Sequence, residues 1–313
     1  MKMERRNFIK QTLFATGAIT LGDNLLHATK SMVYSGDMAM DNHLLAEPVP
    51  LRKGIMWASV GIQGSVLEKC KAIKAAGFEG IEPSSGADRK EFADAMKATG
   101  LVASSVCNAF NWDFPLSHPD AEKRREAVNK VVLTIEDAKA YGADAILFTP
   151  GRVDENWSYE DCWIRSTECI KELVPVADKM QIKICVENVW NNFLLSPLEM
   201  RRFVEQFNSK YVGVYFDCGN IVVYGWPEQW ITLLGRRIGR VHIKEYSKQI
   251  ADKEGRVAGF KAPLTEGSVN WAKVIESLRN NYPHVWLTTE QGNSKTLEEL
   301  KDLNNRFDKI LSM

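Results

Sequence analysis

Residues 183–188 read KICVEN, and three later segments repeat the form: VYFDCGN (214–220), RVHIKE (240–245) and WLTTEQG (286–292). Each is a short apolar run that stops at an ionisable group, in turn Glu187, Asp217, His242 and Glu290. Runs of this length and composition read as buried parallel strands, and the polar stop marks where a strand opens into a site.

Side chains two apart on a strand share a face. Cys185 therefore goes with Glu187, Tyr215 with Asp217, Arg240 with His242 and Thr288 with Glu290, while the alternate set (Ile184, Val186, Val214, Phe216, Val241, Ile243, Leu287, Thr289) is mostly apolar. The four ionisable groups are thus expected to point away from a helix-covered face into one shared interior. Three carboxylates crowded there without a counter-charge would be costly. With one imidazole they form an oxygen-rich set suited to a divalent ion. A single strand-end carboxylate is more commonly a helix cap or a loop ion pair; the fourfold repetition with matching parity favours ligands.

The pattern continues outward from these segments. From residue 54, strands are expected at GIMWAS (54–59), FEGIEP (78–83), VASSVCN (102–108) and ADAILFTPG (143–151), followed by the four already quoted. Helical patterns follow each: 66–77, 91–100, 121–142, 158–180, 197–207, 227–235, 271–282 and 297–311. Eight strand–helix units over roughly 260 residues are the content of an α/β (β/α)8 TIM barrel. An open doubly wound sheet would also alternate, but no G-x-G-x-x-G follows the first strand and there is no P-loop. In a barrel the loops after the strand C-termini build the site, where all four candidate ligands fall.

The N-terminus is different. Residues 4–10 read ERRNFIK and precede an apolar stretch of about a dozen residues, too short to span a bilayer. Arg5-Arg6 followed by Phe8, Ile9 and Lys10 resembles a twin-arginine export signal. The expected division is a signal over 1–28, a linker or arm over 29–53 and the barrel over 54–313, with the mature protein periplasmic and without a membrane anchor.

The 313 residues carry 40 Lys+Arg and 40 Asp+Glu, so no net charge favours a nucleic-acid partner. The local triplet Lys123, Arg124, Arg125 reads more simply as a solvated helix face. Composition is 45% apolar, enough for a substantial core. The six cysteines (70, 107, 162, 169, 185, 218) lie on packing faces or in strands and read as buried free thiols rather than as disulfides. The sequence leaves the oligomeric state open, and a homo-oligomer is compatible with it.

Taken together, Glu187-Asn188, Asp217-Cys218-Gly219-Asn220, His242-Ile243-Lys244-Glu245, Leu264-Thr265-Glu266-Gly267-Ser268-Val269-Asn270-Trp271 and Glu290 resemble the sugar isomerase/epimerase branch of the xylose-isomerase-like barrels, grouped with AP endonuclease family 2. The likeness spans residues 54–311 and is nearest to ketose 3-epimerases and pentulose-5-phosphate 3-epimerases. It implies that Glu187, Asp217, His242 and Glu290 hold one divalent ion, Mn²⁺, Mg²⁺ or Co²⁺, with Zn²⁺ also compatible, and that Glu187 and Glu290 are the catalytic acid/base pair. Where ketose 3-epimerases often carry a histidine, this chain has Asn220, and a further glutamate expected near Phe193 is absent. Asn220 and Lys244 look closer to the pentulose-phosphate type.

A proton on carbon beside a carbonyl is weakly acidic; one carboxylate removes it, and a second on the opposite face returns one to invert the centre. Return to the adjacent carbon would instead give aldose–ketose isomerisation. Lys244 shares the parity of His242 and is a candidate for a substrate oxyanion, or else pairs with Glu245 or Glu266 at the rim. Trp57, Glu82, Asn108, Trp112, Arg152, Trp190 and Trp226 sit at or just past strand ends and, with Asn220 and Glu266, complete the candidate substrate contacts. Because sugar phosphates are chiefly cytoplasmic, an export signal favours an unphosphorylated small-molecule sugar. The competing readings are a metal-dependent lyase on 3-keto-glycosides or inososes and a non-catalytic sugar-binding barrel. An apurinic endonuclease fits poorly, because its trinuclear zinc site needs several histidines and only three follow residue 53.

Overall fold

The computed structural model describes residues 50–313 apart from Pro283 and Val285. The export-like segment, and the arm as far as residue 49, lie outside the described residues. The barrel opens with β1 (Arg52–Met56), two residues before the expected Gly54, and turns into a 3-10 turn at Trp57–Ser59 rather than continuing as strand.

Alternation then runs as the periodicity predicts: α1 (Val66–Ala76), β2 (Gly80–Glu82), α2 (Arg89–Thr99), β3 (Val102–Ala103), β4 (Val106–Cys107), α3 (Ala121–Tyr141), β5 (Ala145–Phe148), α4 (Tyr159–Met180), β6 (Lys183–Glu187) and α5 (Pro197–Glu205). The second half has β7 (Val212–Asp217), the one-turn α6 (Cys218–Ile221), α7 (Pro227–Leu234), β8 (Ile238–Ile243), α8 (Lys248–Glu254), α9 (Trp271–Asn281), β9 (Trp286–Thr289) and α10 (Leu297–Leu311). Helix starts are fixed by side chains that accept orphan backbone N–H groups, as Ser65 does from Glu68 and Asp120 from Glu122 and Lys123.

All strand pairs are parallel, in the order β3-β2-β1-β9-β8-β7-β6-β5-β4. The expected third strand is split: β3 pairs with β2 and β4 with β5, and a parallel bridge from Ser84 to Cys107 carries the pairing past the break. Consecutive side chains of a regular strand face opposite sides. Here Ser104 and Ser105 both reach interior groups, Ser104 Oγ lying 3.0 Å from Thr288 Oγ1 and Ser105 Oγ bonding Glu82. The interruption is what lets two adjacent serines do so. The result is a nearly closed barrel of nine parallel strands.

Two layers of core follow from strand parity. Outward, Ile184, Val186, Val214, Phe216, Val241, Ile243 and Leu287 are fully buried against the helices, together with residues such as Ile73, Leu173 and Phe307. Each such side chain contributes about 1.5–3 kcal/mol of burial. Inward, a small cluster of Cys107, Ala145, Leu147, Cys185 and Tyr215, with Met56 against it, fills the barrel. The six cysteines are unpaired and buried. No helix among the described residues is long and apolar enough to cross a membrane.

Candidate metal centre

Four elements deliver the cluster. Glu187 closes β6, Asp217 closes β7, His242 is the penultimate residue of β8, and Glu290 follows β9, its N–H donating to Ile243 O at 3.2 Å. The β7–β8 register sets Asp217 beside His242, and the β8–β9 register sets His242 beside Thr288. One donor atom from each of Glu187, Asp217, His242 and Glu290 lies within 4.8 Å of the others. From His242 Nδ1 the distances are 3.1 Å to Glu290 Oε2, 3.7 Å to Glu187 Oε1 and 3.9 Å to Asp217 Oδ2.

The electrostatics suit a cation. His242 Nδ1, Asp217 Oδ2 and Glu290 Oε2 are buried and make no hydrogen bond among the described residues. Orphaned buried polar atoms are costly, and three converging on one point fit a divalent ion that would satisfy all of them. Burial pushes the Asp217 carboxyl up to about 8, against the pull of Lys244 and His242, and pushes Glu187 up as well. Burial works the same way on Glu290, but Lys244 and His242 outweigh it and hold that carboxyl down at about 2. On His242, burial favours the neutral ring and is overridden by Glu82, Glu187 and Glu290, which hold its pKa well above the usual imidazole value. Lys244 Nζ lies 3.1 Å from Glu290 Oε1 and 3.9 Å from Asp217 Oδ2. The same carboxylates, opposing burial, raise the pKa of Lys244.

Loops at the strand ends are cross-tied. Asn188 Nδ2 donates to Asp217 O (2.8 Å) and its Oδ1 accepts from Asp217 N (2.9 Å). Asn220 N donates to Asp217 Oδ1 (2.7 Å) and Asn220 Nδ2 to Asn188 O (3.0 Å). A side chain at Gly219 would put its Cβ 2.7 Å from Lys244 O, so the tight start of α6 over β8 requires glycine.

The remaining candidates fall into four groups. Lys244 joins the cluster, with Phe260 beneath its ammonium at 4.5 Å. Glu82 lies immediately behind it: fully buried, it faces His242 Nε2 at 3.2 Å. Trp190 belongs to the surrounding wall, donating from Nε1 to Asn220 O (2.9 Å) and packing on Phe260. The contacts of the others lie elsewhere. Trp57 packs edge-on against Phe92 of α2, in the helix layer. Asn108 donates to Asn111 within its own loop. Trp112 and Trp226 are more than half exposed. Arg152 sits over Trp157, near Asp154. Glu266 pairs with Arg306 of α10 on the outside, away from Lys244.

Glu245, a candidate rim partner for Lys244 from the sequence, has a structural task. Its buried carboxylate accepts from Tyr246 N, Thr265 N, Val269 N and Trp271 Nε1. Tyr215 and Ser105, both bonded to Glu82, were not singled out from sequence, although strand parity with Asp217 places Tyr215 in the interior.

Nearly closed barrel and strand-end acidic cluster together define a class, and the sequence agrees: the model of the xylose isomerase-like TIM barrel family matches residues 70–308, and the chain belongs to that family. Among relatives, L-ribulose-5-phosphate 3-epimerase UlaE of Escherichia coli O1:K1 is 22% identical over 253 residues, covering 76% of this chain and 85% of the relative. Among solved structures, apo 3-keto-D-glucoside 4-epimerase YcjR of E. coli superposes with a TM-score of 0.71 at 15% identity, over 84% of this chain and 100% of that one. The IOLI protein with a bound zinc atom superposes with a TM-score of 0.69 at 13% identity, over 84% and 98% of the two chains.

Proposed function

We propose that the protein is a divalent-metal-dependent sugar isomerase or epimerase, with Glu187, Asp217, His242 and Glu290 as ligands and Glu187 and Glu290 as the acid/base pair. The observation that carries this reading is the convergence of four donor atoms within 4.8 Å, three of the atoms on these residues buried without a partner. UlaE and YcjR are sugar epimerases, which supports the reaction class.

A divalent ion held by these residues would supply Lewis-acid polarisation of the substrate's oxygens. The protein's own groups do the rest. Glu187 closes β6 and Glu290 follows β9, with β7 and β8 between them, a separation that suits proton removal on one face and return on the other. Lys244, charged and beside Glu290, is available to neutralise an oxyanion developing on the substrate. Phe260 and Trp190 offer apolar surface next to that ammonium for sugar C–H groups. The choice of an unphosphorylated sugar or keto-sugar rests on the export-like N-terminus and its periplasmic destination.

The test is a panel of ketoses, 3-keto-glycosides and L-ribulose 5-phosphate incubated with Mn²⁺-, Mg²⁺- or Co²⁺-loaded protein in D₂O and read by NMR. The expected result is deuterium at one carbon of an unphosphorylated sugar together with an inverted or isomerised product, both abolished by EDTA. Turnover of the phosphate ester alone overturns the substrate assignment. A new double bond or a released aglycone assigns a lyase instead, and sugar binding without any metal-dependent turnover removes the enzyme reading.

A further inference from the structure

Glu82 was expected to touch substrate, yet its surroundings give it another task. It ends β2, on the far side of His242 from the cluster, and none of its surface is exposed. Its Oε1 lies 3.2 Å from His242 Nε2. Its Oε2 accepts from Ser105 Oγ and from Tyr215 OH, two hydroxyls that are themselves 3.0 Å apart. The Tyr215 ring packs against the imidazole, with 4.4 Å between centroids. The carboxylate is therefore anchored on one oxygen and presents the other to a single ring nitrogen.

We infer that Glu82 is a positioning residue for the metal site, accepting the Nε2–H of His242 and so fixing the tautomer whose Nδ1 lone pair faces Glu187, Asp217 and Glu290. The inference rests on the metal reading proposed above. An imidazole ligand has two ring nitrogens, and the hydrogen bond made by one decides which lone pair the other offers. Ser105 and Tyr215 act one step further out by holding Glu82. The split in the third strand is what brings Ser105 into the interior to do so.

The substitution Glu82→Gln keeps the volume but allows an NH₂ group to face His242 Nε2, which favours the opposite tautomer with Nδ1–H aimed at the cluster. Tyr215→Phe keeps the ring against His242 and removes one donor from Glu82. Full-length wild type and both variants are titrated with Mn²⁺ by calorimetry, and His242 is read by ¹⁵N NMR in Zn²⁺-loaded, ¹⁵N-histidine-labelled protein. The expected result is 10–100-fold weaker Mn²⁺ binding in Glu82→Gln, a severalfold loss in Tyr215→Phe, and a protonated Nε2 signal present in wild type and displaced in Glu82→Gln. A purely structural role would lower thermal stability and leave the Mn²⁺ affinity and the ¹⁵N signature unchanged. Equal affinity in wild type and Glu82→Gln overturns the positioning role while leaving the metal site standing. If Glu82→Gln does not fold, unchanged Mn²⁺ affinity in Tyr215→Phe overturns it. Wild type that binds no Mn²⁺ removes the metal reading, and this inference with it.

Discussion

Replacing either Glu187 or Glu290 by glutamine is expected to slow D₂O exchange of the carbon-bound proton of the epimer whose proton that residue removes by about 10³-fold, within the 10²–10⁴ that a positioned acid or base contributes. Glutamine keeps the shape and one oxygen donor but cannot take up or release a proton near neutral pH. Both residues also belong to the ligand cluster, so part of any loss could reflect weaker metal binding. Measuring exchange at saturating Mn²⁺, with occupancy checked in parallel, separates the two effects. Undiminished exchange in both variants would remove the acid/base assignment. Measured from each epimer in turn, loss confined to the same single variant for both epimers would point to one base that returns the proton to the neighbouring carbon, and so to aldose–ketose isomerisation.

The second large effect concerns stability. Glu245→Ala is expected to cost about 4 kcal/mol, because it orphans three buried donors and the part-buried Thr265 N–H, and each unsatisfied buried group costs about 1–3 kcal/mol before relaxation. Tyr246 N, Val269 N, Thr265 N and Trp271 Nε1 converge on this one carboxylate at 2.7–3.1 Å, stitching the 246–271 connection to the end of β8. In a protein of this size that loss lowers Tm by about 10 °C. Glutamine is not a rescue. Two donors face each oxygen, so an amide NH₂ must meet N–H groups on one side. Glu266→Ala is the control: its ion pair with Arg306 is exposed, and such pairs are worth about 0–1 kcal/mol. Equal melting temperatures for Glu245→Ala and wild type would contradict the account of this connection.

The four strand ends were legible because a period of two is a local property: reading Cys185 with Glu187 and Tyr215 with Asp217 needs only the strand itself. The helices were legible for the same reason: the patterns expected at 66–77 and 121–142 begin where α1 and α3 begin. What strands meet across the barrel was not. Glu82 and His242 are 160 positions apart, and their contact depends on the stagger of strands around the closed sheet, which no window of sequence contains. Trp57 makes the same point from the other side. An aromatic residue at a strand end reads alike whether it faces the mouth or, as here, the helix layer at Phe92. The break at Ser104–Ser105 was hidden because VASSVCN keeps an apolar, β-compatible frame on both sides of the serines. No helical pattern is expected between 246 and 270, yet the connection after β8 forms α8 and a 3-10 stretch at Arg256–Lys261. Its order comes from Glu245 and from packing of Phe260 on Trp190 and Tyr246 rather than from a strong local repeat.

We propose that Glu187, Asp217, His242 and Glu290 together hold one divalent cation. The most direct test is an anomalous-scattering map from crystals of the protein grown with Mn²⁺. The account predicts a single strong peak at the C-terminal mouth of the barrel, about 2.0–2.4 Å from an oxygen of each carboxylate and from His242 Nδ1. Mn²⁺ found only elsewhere, or a cluster closed around Lys244 with no ion at millimolar Mn²⁺, would contradict it.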